Sequence, residues 1–328
     1  MVIKPLNSPK SMSVKTSPQT SLDTLYILAP GHSGSTLLNL MLGAHPRAHA
    51  VSELTYFPAN IEQNEVCTCG KSIRACELWR EVAHRLEQKL GIDVLAQPDA
   101  LDLGYIDAPK GVYQQTRAYR AIWKIRRTSA FASMLTRVPI PAFVNQRFET
   151  GITNRIALYD AIREASGANL IVDSSKEYLH GYGVYRRRPE QTRLILLTRD
   201  GRAVFNSNLR RGFGRDYAMR VWRNYYRFAL MALGRTIDRS HVHTVRYEDL
   251  AANPAATLQS ACHFLQMDFD PRMLDVSWKV HHITSGNNMR FTSTGVRLDT
   301  KWRSELSAAN REFFERHAGA MNRSLGYE

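Results

Sequence analysis

The chain has 328 residues, enough for a sizeable core and too many for a small disulfide-stapled scaffold. Its 44% hydrophobic and 23% charged residues exclude a wholly disordered, collagen-like or integral-membrane protein. Lys and Arg outnumber Asp and Glu 44 to 30, and the resulting net charge of +14 favours an anionic partner: nucleic acid, membrane lipid or a multiply phosphorylated small molecule.

The first residues are rich in Ser, Pro and Lys and carry no apolar core of a signal peptide, so residues 1–23 read as a disordered lead. No stretch approaches the ~20 apolar residues of a membrane span, and the chain is expected in the cytoplasm. One domain is expected over 24–328. Residues 25–29 (LYILA) form a buried strand ended by Pro30-Gly31. The turn His32-Ser33-Gly34-Ser35-Thr36 leads into a helix carrying Leu37, Leu38, Leu40, Met41 and Leu42. Strand, Gly/Ser turn, helix is the opening of a phosphate-binding βαβ unit.

A charged helix follows over 78–90. Residues 105–147 turn aromatic and basic with no strand signal, and read as a helical insertion or lid. Residues 149–166 pattern as an amphipathic helix, and 169–172 (NLIV) as a strand ending at Asp173-Ser174-Ser175-Lys176. Residues 193–198 (RLILLT) are the clearest strand, followed by Arg199-Asp200-Gly201-Arg202 and a helix from about Ala203 to Arg211. A long helix over 216–237 places Trp222, Tyr225, Tyr226 and Phe228 at core spacing. Residues 241–246 alternate as a strand before Tyr247-Glu248-Asp249-Leu250, where Asp249 is expected to fix the strand end. Helices over 255–265, with Pro254 at the start, and 308–321 close the chain. Strands alternating with helices imply an α/β fold, a three-layer sandwich around a mainly parallel sheet of about four or five strands.

Two turns carry the chemistry. In the first, glycine allows close approach of an anion, the helix start offers unpaired N–H groups, and Ser33, Ser35 and Thr36 add hydroxyls. An ATP-binding loop would place lysine before Thr36, where this chain has Ser35, so a single 5′-phosphate fits better than a triphosphate. In the second, Arg199 offers a bidentate fork and Ser207 a hydroxyl at the carboxyl end of a strand, where open α/β sheets bind ligands. Each turn alone also reads as a capped helix start or a surface ion pair.

Taken in order, the Gly-Ser turn, Asp-Ser-Ser-Lys, Arg-Asp-x-Arg-Ala-x-x-x-Ser and Tyr-Glu-Asp-Leu resemble the sulfotransferases that use 3′-phosphoadenosine 5′-phosphosulfate (PAPS). The run Ser33-Gly-Ser-Thr-Leu-Leu, then His45-Pro46, then Glu53 is similar to the branch holding protein-tyrosine, carbohydrate and many bacterial enzymes. The resemblance implies a P-loop-like phosphosulfate-binding turn on Gly31, Ser33, Gly34, Ser35, Thr36 and Leu37, and a 3′-phosphate pair on Arg199 and Ser207. It matches the family's late basic segment only loosely, at 287–291 with Arg290 and at 301–303 with Lys301. It implies Glu53 as the base for an acceptor hydroxyl, with His32 as rival. The family's Lys or Arg before the Ser-Gly core is here His32, which would support the leaving oxygen with Lys176 as a second cation, and Gly201 stands where many members have proline. The acceptor would be a small molecule or saccharide, PAP the product, and no metal is required, because Arg, Lys and helix dipoles can neutralise the sulfate and phosphates. No nucleic-acid partner is expected, since clustered aromatic–basic RNA motifs are absent.

Competing readings are a kinase-like phosphoryl transferase with an atypical loop, and a basic non-enzymatic module binding RNA or anionic polysaccharide. Cys67-x-Cys69-Gly70 with Cys76, and His84 eight residues on, is poor spacing for zinc and reads as a local disulfide or buried thiols. His281-His282 reads as a partly exposed pair, and Arg186-Arg187-Arg188 and Arg210-Arg211 as solvated faces.

Overall fold

A computed structural model of the protein describes residues 22–104, 117–136, 142–286, 288–291 and 298–328. Nearly all of the expected N-terminal lead, parts of the expected lid (105–116 and 137–141) and Asn287 lie outside these residues. Five strands form one parallel sheet: β1 (Thr24–Leu28), β2 (Ala48–Ser52), β3 (Leu170–Asp173), β4 (Thr192–Thr198) and β5 (Val242–Arg246), in the order β2-β3-β1-β4-β5. Each strand is apolar enough to be covered on both faces, as a parallel sheet requires.

The alternation along β1 shows how the layers arise. Leu25 and Ile27 face one core with Leu37, Leu38 and Met41 of α1 (Ser35–Gly43). The same core takes Leu250 of α9 (Tyr247–Ala252) and Leu258 of α10 (Pro254–Phe264). Tyr26 and Leu28 face the other core, packed by α3 (Glu77–Leu90), α5 (Ala142–Ser166), α6 (Tyr178–Arg187), α7 (Gly201–Arg210) and α8 (Arg215–Thr236). Trp222 and Tyr226 are fully buried in this layer, as expected for a core stripe. The remaining helices are α2 (Phe57–Glu62), α4 (Arg117–Thr136), α11 (Trp302–Glu305) and α12 (Ala308–Ser324).

Two elements were not legible from the chain. Strand β2 is AHAVS, and α6 carries two glycines that lower helix propensity. The helix needs glycine at Gly181, where a Cβ would lie 2.6 Å from the Tyr26 ring. Beyond them, the arginines of 186–188 are not a free solvated face: Arg186 and Arg187 both pair with Glu149, and Arg188 forms a fork on Asp160.

The topology fixes where a ligand can sit. After β1 the chain crosses toward β2 on one side, and after β4 it crosses toward β5 on the other. The carboxyl ends of β1 and β4 therefore diverge around a crevice, the switch point of the sheet.

Candidate active site

That crevice opens into a cleft of about 1770 Å³. It is larger than the roughly 300–1,000 Å³ of most small-molecule pockets, with room for two substrates. Gly31, His32, Gly34, Ser35, Thr36 and Leu37 of the first turn line it, as do Glu53, Lys176, Arg199, Ser207, Arg290 and Lys301. Of the residues singled out from the sequence, Ser33 alone is not in the lining; it is buried beneath the turn beside the Tyr226 hydroxyl.

The first turn is shaped by its backbone. His32 and Gly34 take the left-handed conformation, with φ of 67° and 88°. Gly34 is the N-cap of α1 and no side chain caps the helix, so its first N–H groups remain available beside the cleft. A Cβ at Gly34 would lie 2.4 Å from the Tyr247 ring. Tyr247 also carries the Arg199 guanidinium on its ring, 4.2 Å from the centroid.

The second turn meets the first. Arg199 Nη1 donates to the His32 carbonyl at 2.7 Å, and Nη2 pairs with Asp299 at 3.0 Å. Arg211, expected as part of a solvated pair, lines the cleft as well. Burial, reinforced by the positive charges of Arg211, Lys176 and Arg199, lowers His32 to about 4. The imidazole is neutral near pH 7, which removes the option that it serves as a cation.

Glu53 and Lys176 follow the neighbouring strands β2 and β3, and their side chains form an ion pair. Ser52 and Lys176 both have positive φ, 56° and 72°, backbone strain that ordinarily persists only where surrounding contacts impose it. Those contacts come largely from Arg155 of α5. This fully buried guanidinium pairs with Asp173 at 3.1 Å and donates to Ser175 Oγ at 3.2 Å, Thr55 Oγ1 at 2.9 Å and His180 Nδ1 at 3.2 Å. Tyr159 donates to the same Asp173 carboxylate at 2.5 Å. Arg155 thus ties the turn bearing Glu53 to the turn bearing Lys176, and nothing in its local sequence marks it.

Other expectations shift. The strand end after β5 is fixed by Glu248 rather than the exposed Asp249: Glu248 accepts from the Asp200 N–H at 3.1 Å and the Tyr327 hydroxyl at 2.9 Å. Asp173, considered as a metal-binding aspartate of ATPase type, is occupied by Arg155, Tyr159 and the Ser175 N–H. His281 is buried, with Nε2 2.9 Å from the Val276 carbonyl, while His282 turns toward the cysteines. His84 stands apart from them, exposed and paired with Gln88.

A sequence model of the sulfotransferase family matches residues 106–271, more than half of the chain, which therefore belongs to that family. The matched span includes Lys176, Arg199 and Ser207. Two solved structures share the fold over nearly their whole length. The sulfotransferase domain of the olefin synthase from Synechococcus PCC 7002 superposes with a TM-score of 0.52 at 21% identity, covering 97% of this chain and 99% of that one. The sulfotransferase domain from the curacin biosynthetic pathway gives 0.50 at 18% identity, covering 94% and 98%. No curated protein matches the chain by sequence. Among the described residues no helix is long and apolar enough to cross a membrane.

Proposed function

We propose that this sulfotransferase moves the sulfuryl group of PAPS to a hydroxyl on a small molecule or saccharide by in-line displacement. The observation that carries the reading is the union of two turns at one cleft: the open start of α1 after β1, and Arg199 after β4, touching through the His32 carbonyl. A nucleotide with phosphates at both the 5′ and 3′ positions is the ligand that such a pair suits. In this reading the N–H groups and hydroxyls of Gly34 to Leu37 hold the 5′-phosphosulfate, and Arg199 and Ser207 the 3′-phosphate. Arg211, Arg290 and Lys301 add positive charge around the donor.

Sulfuryl transfer, like phosphoryl transfer, has a loose transition state with charge growing on the bridging oxygen. Catalysis is then alignment plus stabilisation of that oxygen. Lys176 reaches it as an ammonium, and neutral His32 contributes an N–H. Glu53 takes the acceptor proton as the new S–O bond forms. Lys176 has two anionic claims on it: the Glu53 carboxylate and the donor. Donor binding draws the ammonium toward the leaving oxygen and releases the carboxylate to act as base. The acceptor enters on the flank built by residues 53–65 and 98–103, where Tyr56, Pro58, Leu101 and Leu103 accompany Glu65, Asp99 and Asp102. That mixture favours an uncharged alcohol over an anionic one. The transfer itself uses no metal.

The test is transfer of radiolabelled sulfate from PAPS into a metabolite extract, followed by identification of the labelled product, with PAP and ATP compared as thermal stabilisers. Labelling together with stabilisation by PAP well beyond ATP supports the reading. Stabilisation by ATP alone, with no label transferred, overturns it in favour of phosphoryl transfer.

A further inference from the structure

Four side chains of the Cys67–Cys76 region and the late segment converge away from the cleft. The sulfurs of Cys67, Cys69 and Cys76 and a ring nitrogen of His282 all lie within 4.8 Å of one another. His282 Nδ1 is 3.8 Å from Cys67 Sγ and 3.2 Å from Cys76 Sγ. A tetrahedral zinc with bonds of about 2.3 Å to sulfur and about 2.05 Å to nitrogen has S···N edges of about 3.6 Å, which these two distances bracket. From these positions we propose that Cys67, Cys69, Cys76 and His282 form a closed, structural Zn²⁺ site.

The local backbone is arranged for such a site. Gly70 takes φ +85° and returns its N–H to the Cys67 carbonyl at 2.9 Å, while the Cys67 N–H reaches the Lys71 carbonyl at 2.8 Å. This tight turn puts Cys67 and Cys69 on the same side despite the Cys-x-Cys spacing. Cys76 is the N-cap of α3, where the partial positive charge of a helix start favours a thiolate. His282 comes from 206 residues further on and itself has positive φ, 53°. Three thiolates and one neutral imidazole around Zn²⁺ leave a net charge of −1, and Lys71 and Arg290 are near enough to interact with the sulfurs. Four protein ligands leave no open position, and none of the four lines the cleft, so the metal holds structure and takes no part in the transfer.

What it would hold is the wall beside Glu53. Thr68 and Ile283 exchange two hydrogen bonds of 3.0 Å, Ser285 Oγ donates to the Glu53 carbonyl at 2.9 Å, and Asn60 donates to Thr284 at 3.1 Å. A metal between His282 and the cysteines staples the start of this segment to the Cys67–Cys76 loop.

The test is zinc content of the full chain, purified under reducing conditions, incubated with Zn²⁺ and desalted over a weak chelator. One zinc per chain is expected, falling to near none in Cys76→Ser and His282→Ala. Cys262→Ser, a buried thiol beside Met273, should keep it, and so should His282→Cys, which restores a fourth ligand. Because the depleted variants can misfold, Co²⁺ bound to the unaltered chain gives a second readout: intense tetrahedral visible bands with thiolate charge transfer. Absence of retained zinc, weak octahedral cobalt bands, or an intact mass showing a disulfide among these cysteines under the same conditions would overturn the site. None of these measurements involves PAPS, so failure here is separate from failure of the proposed transfer.

Discussion

The Glu53 carboxylate is paired with the Lys176 ammonium across the carboxyl ends of adjacent strands β2 and β3. Each residue sits at or beside a backbone position of positive φ, and each turn is tied beneath to Arg155. The pair places a base and a cation side by side, as a displacement with a departing anion and an incoming alcohol requires.

Glu53→Gln keeps the size and a hydrogen-bond partner for Lys176 while removing the base. Turnover should fall by about 10²–10⁴-fold, the usual contribution of a positioned general base. PAP affinity, measured by calorimetry, should stay within a few-fold. Unchanged turnover would remove Glu53 as the base and leave His32 in its place.

Arg155→Met tests the support beneath the pair. Removing one partner of a buried ion pair strands the other, here Asp173, and costs about 3–5 kcal/mol. The expected outcome in urea unfolding is a loss of that order, partly recovered in Arg155→Met/Asp173→Asn, where no charge is left unpaired. A loss below about 1 kcal/mol would mean that Asp173 is satisfied by Tyr159 and the Ser175 N–H alone.

Much of this was open to reading from the chain. The strands at 25–29 and 193–198 are unbroken apolar runs, and the phosphate-binding turns follow them directly, so both halves of the cleft could be placed. Strand β2 was hidden because AHAVS is short and interrupted by His49. Arg155 was hidden because its neighbours in α5 follow an ordinary helical pattern, and only the fold brings Asp173, Ser175, Thr55 and His180 around it. Likewise, His282 could not be joined to Cys67 and Cys76 by spacing, because the residues between them are most of the domain. Local pattern reports what a segment buries; it does not report which distant segment it meets.

Acid should destabilise the protein through its buried histidines. His180 accepts from Arg155 on Nδ1 and therefore carries its proton on Nε2, which donates to the Gly104 carbonyl at 2.7 Å. Burial, then the Arg155 charge, lowers it to about 3; burial, then Lys279 and the neighbouring histidines, lowers His49 to about 3; His32 is at about 4. In the unfolded chain these groups take up protons near pH 6.5. The unfolded state therefore binds more protons between about pH 6.5 and 4, so their contribution is complete above 6.5 and is lost as pH falls through that window. The melting temperature should drop across it, and His180→Gln, which can keep both hydrogen bonds without titrating, should make the slope shallower. An unchanged slope would exclude His180 from the effect.

Arg199→Lys separates the two ends of the nucleotide. Lysine keeps the charge but cannot donate to the His32 carbonyl, pair with Asp299 and lie flat on Tyr247 at once. A charge-assisted hydrogen bond lost from a partly buried site is worth about 1.5–3 kcal/mol, or roughly 10–100-fold in affinity. PAP binding should weaken by that factor, whereas adenosine 5′-monophosphate, which lacks the 3′-phosphate, should bind the variant as it binds the parent. Equal weakening for both ligands would place Arg199 at the adenosine or the 5′ end and move the 3′-phosphate elsewhere in the cleft, with Arg211 and Lys301 as the cations left to receive it.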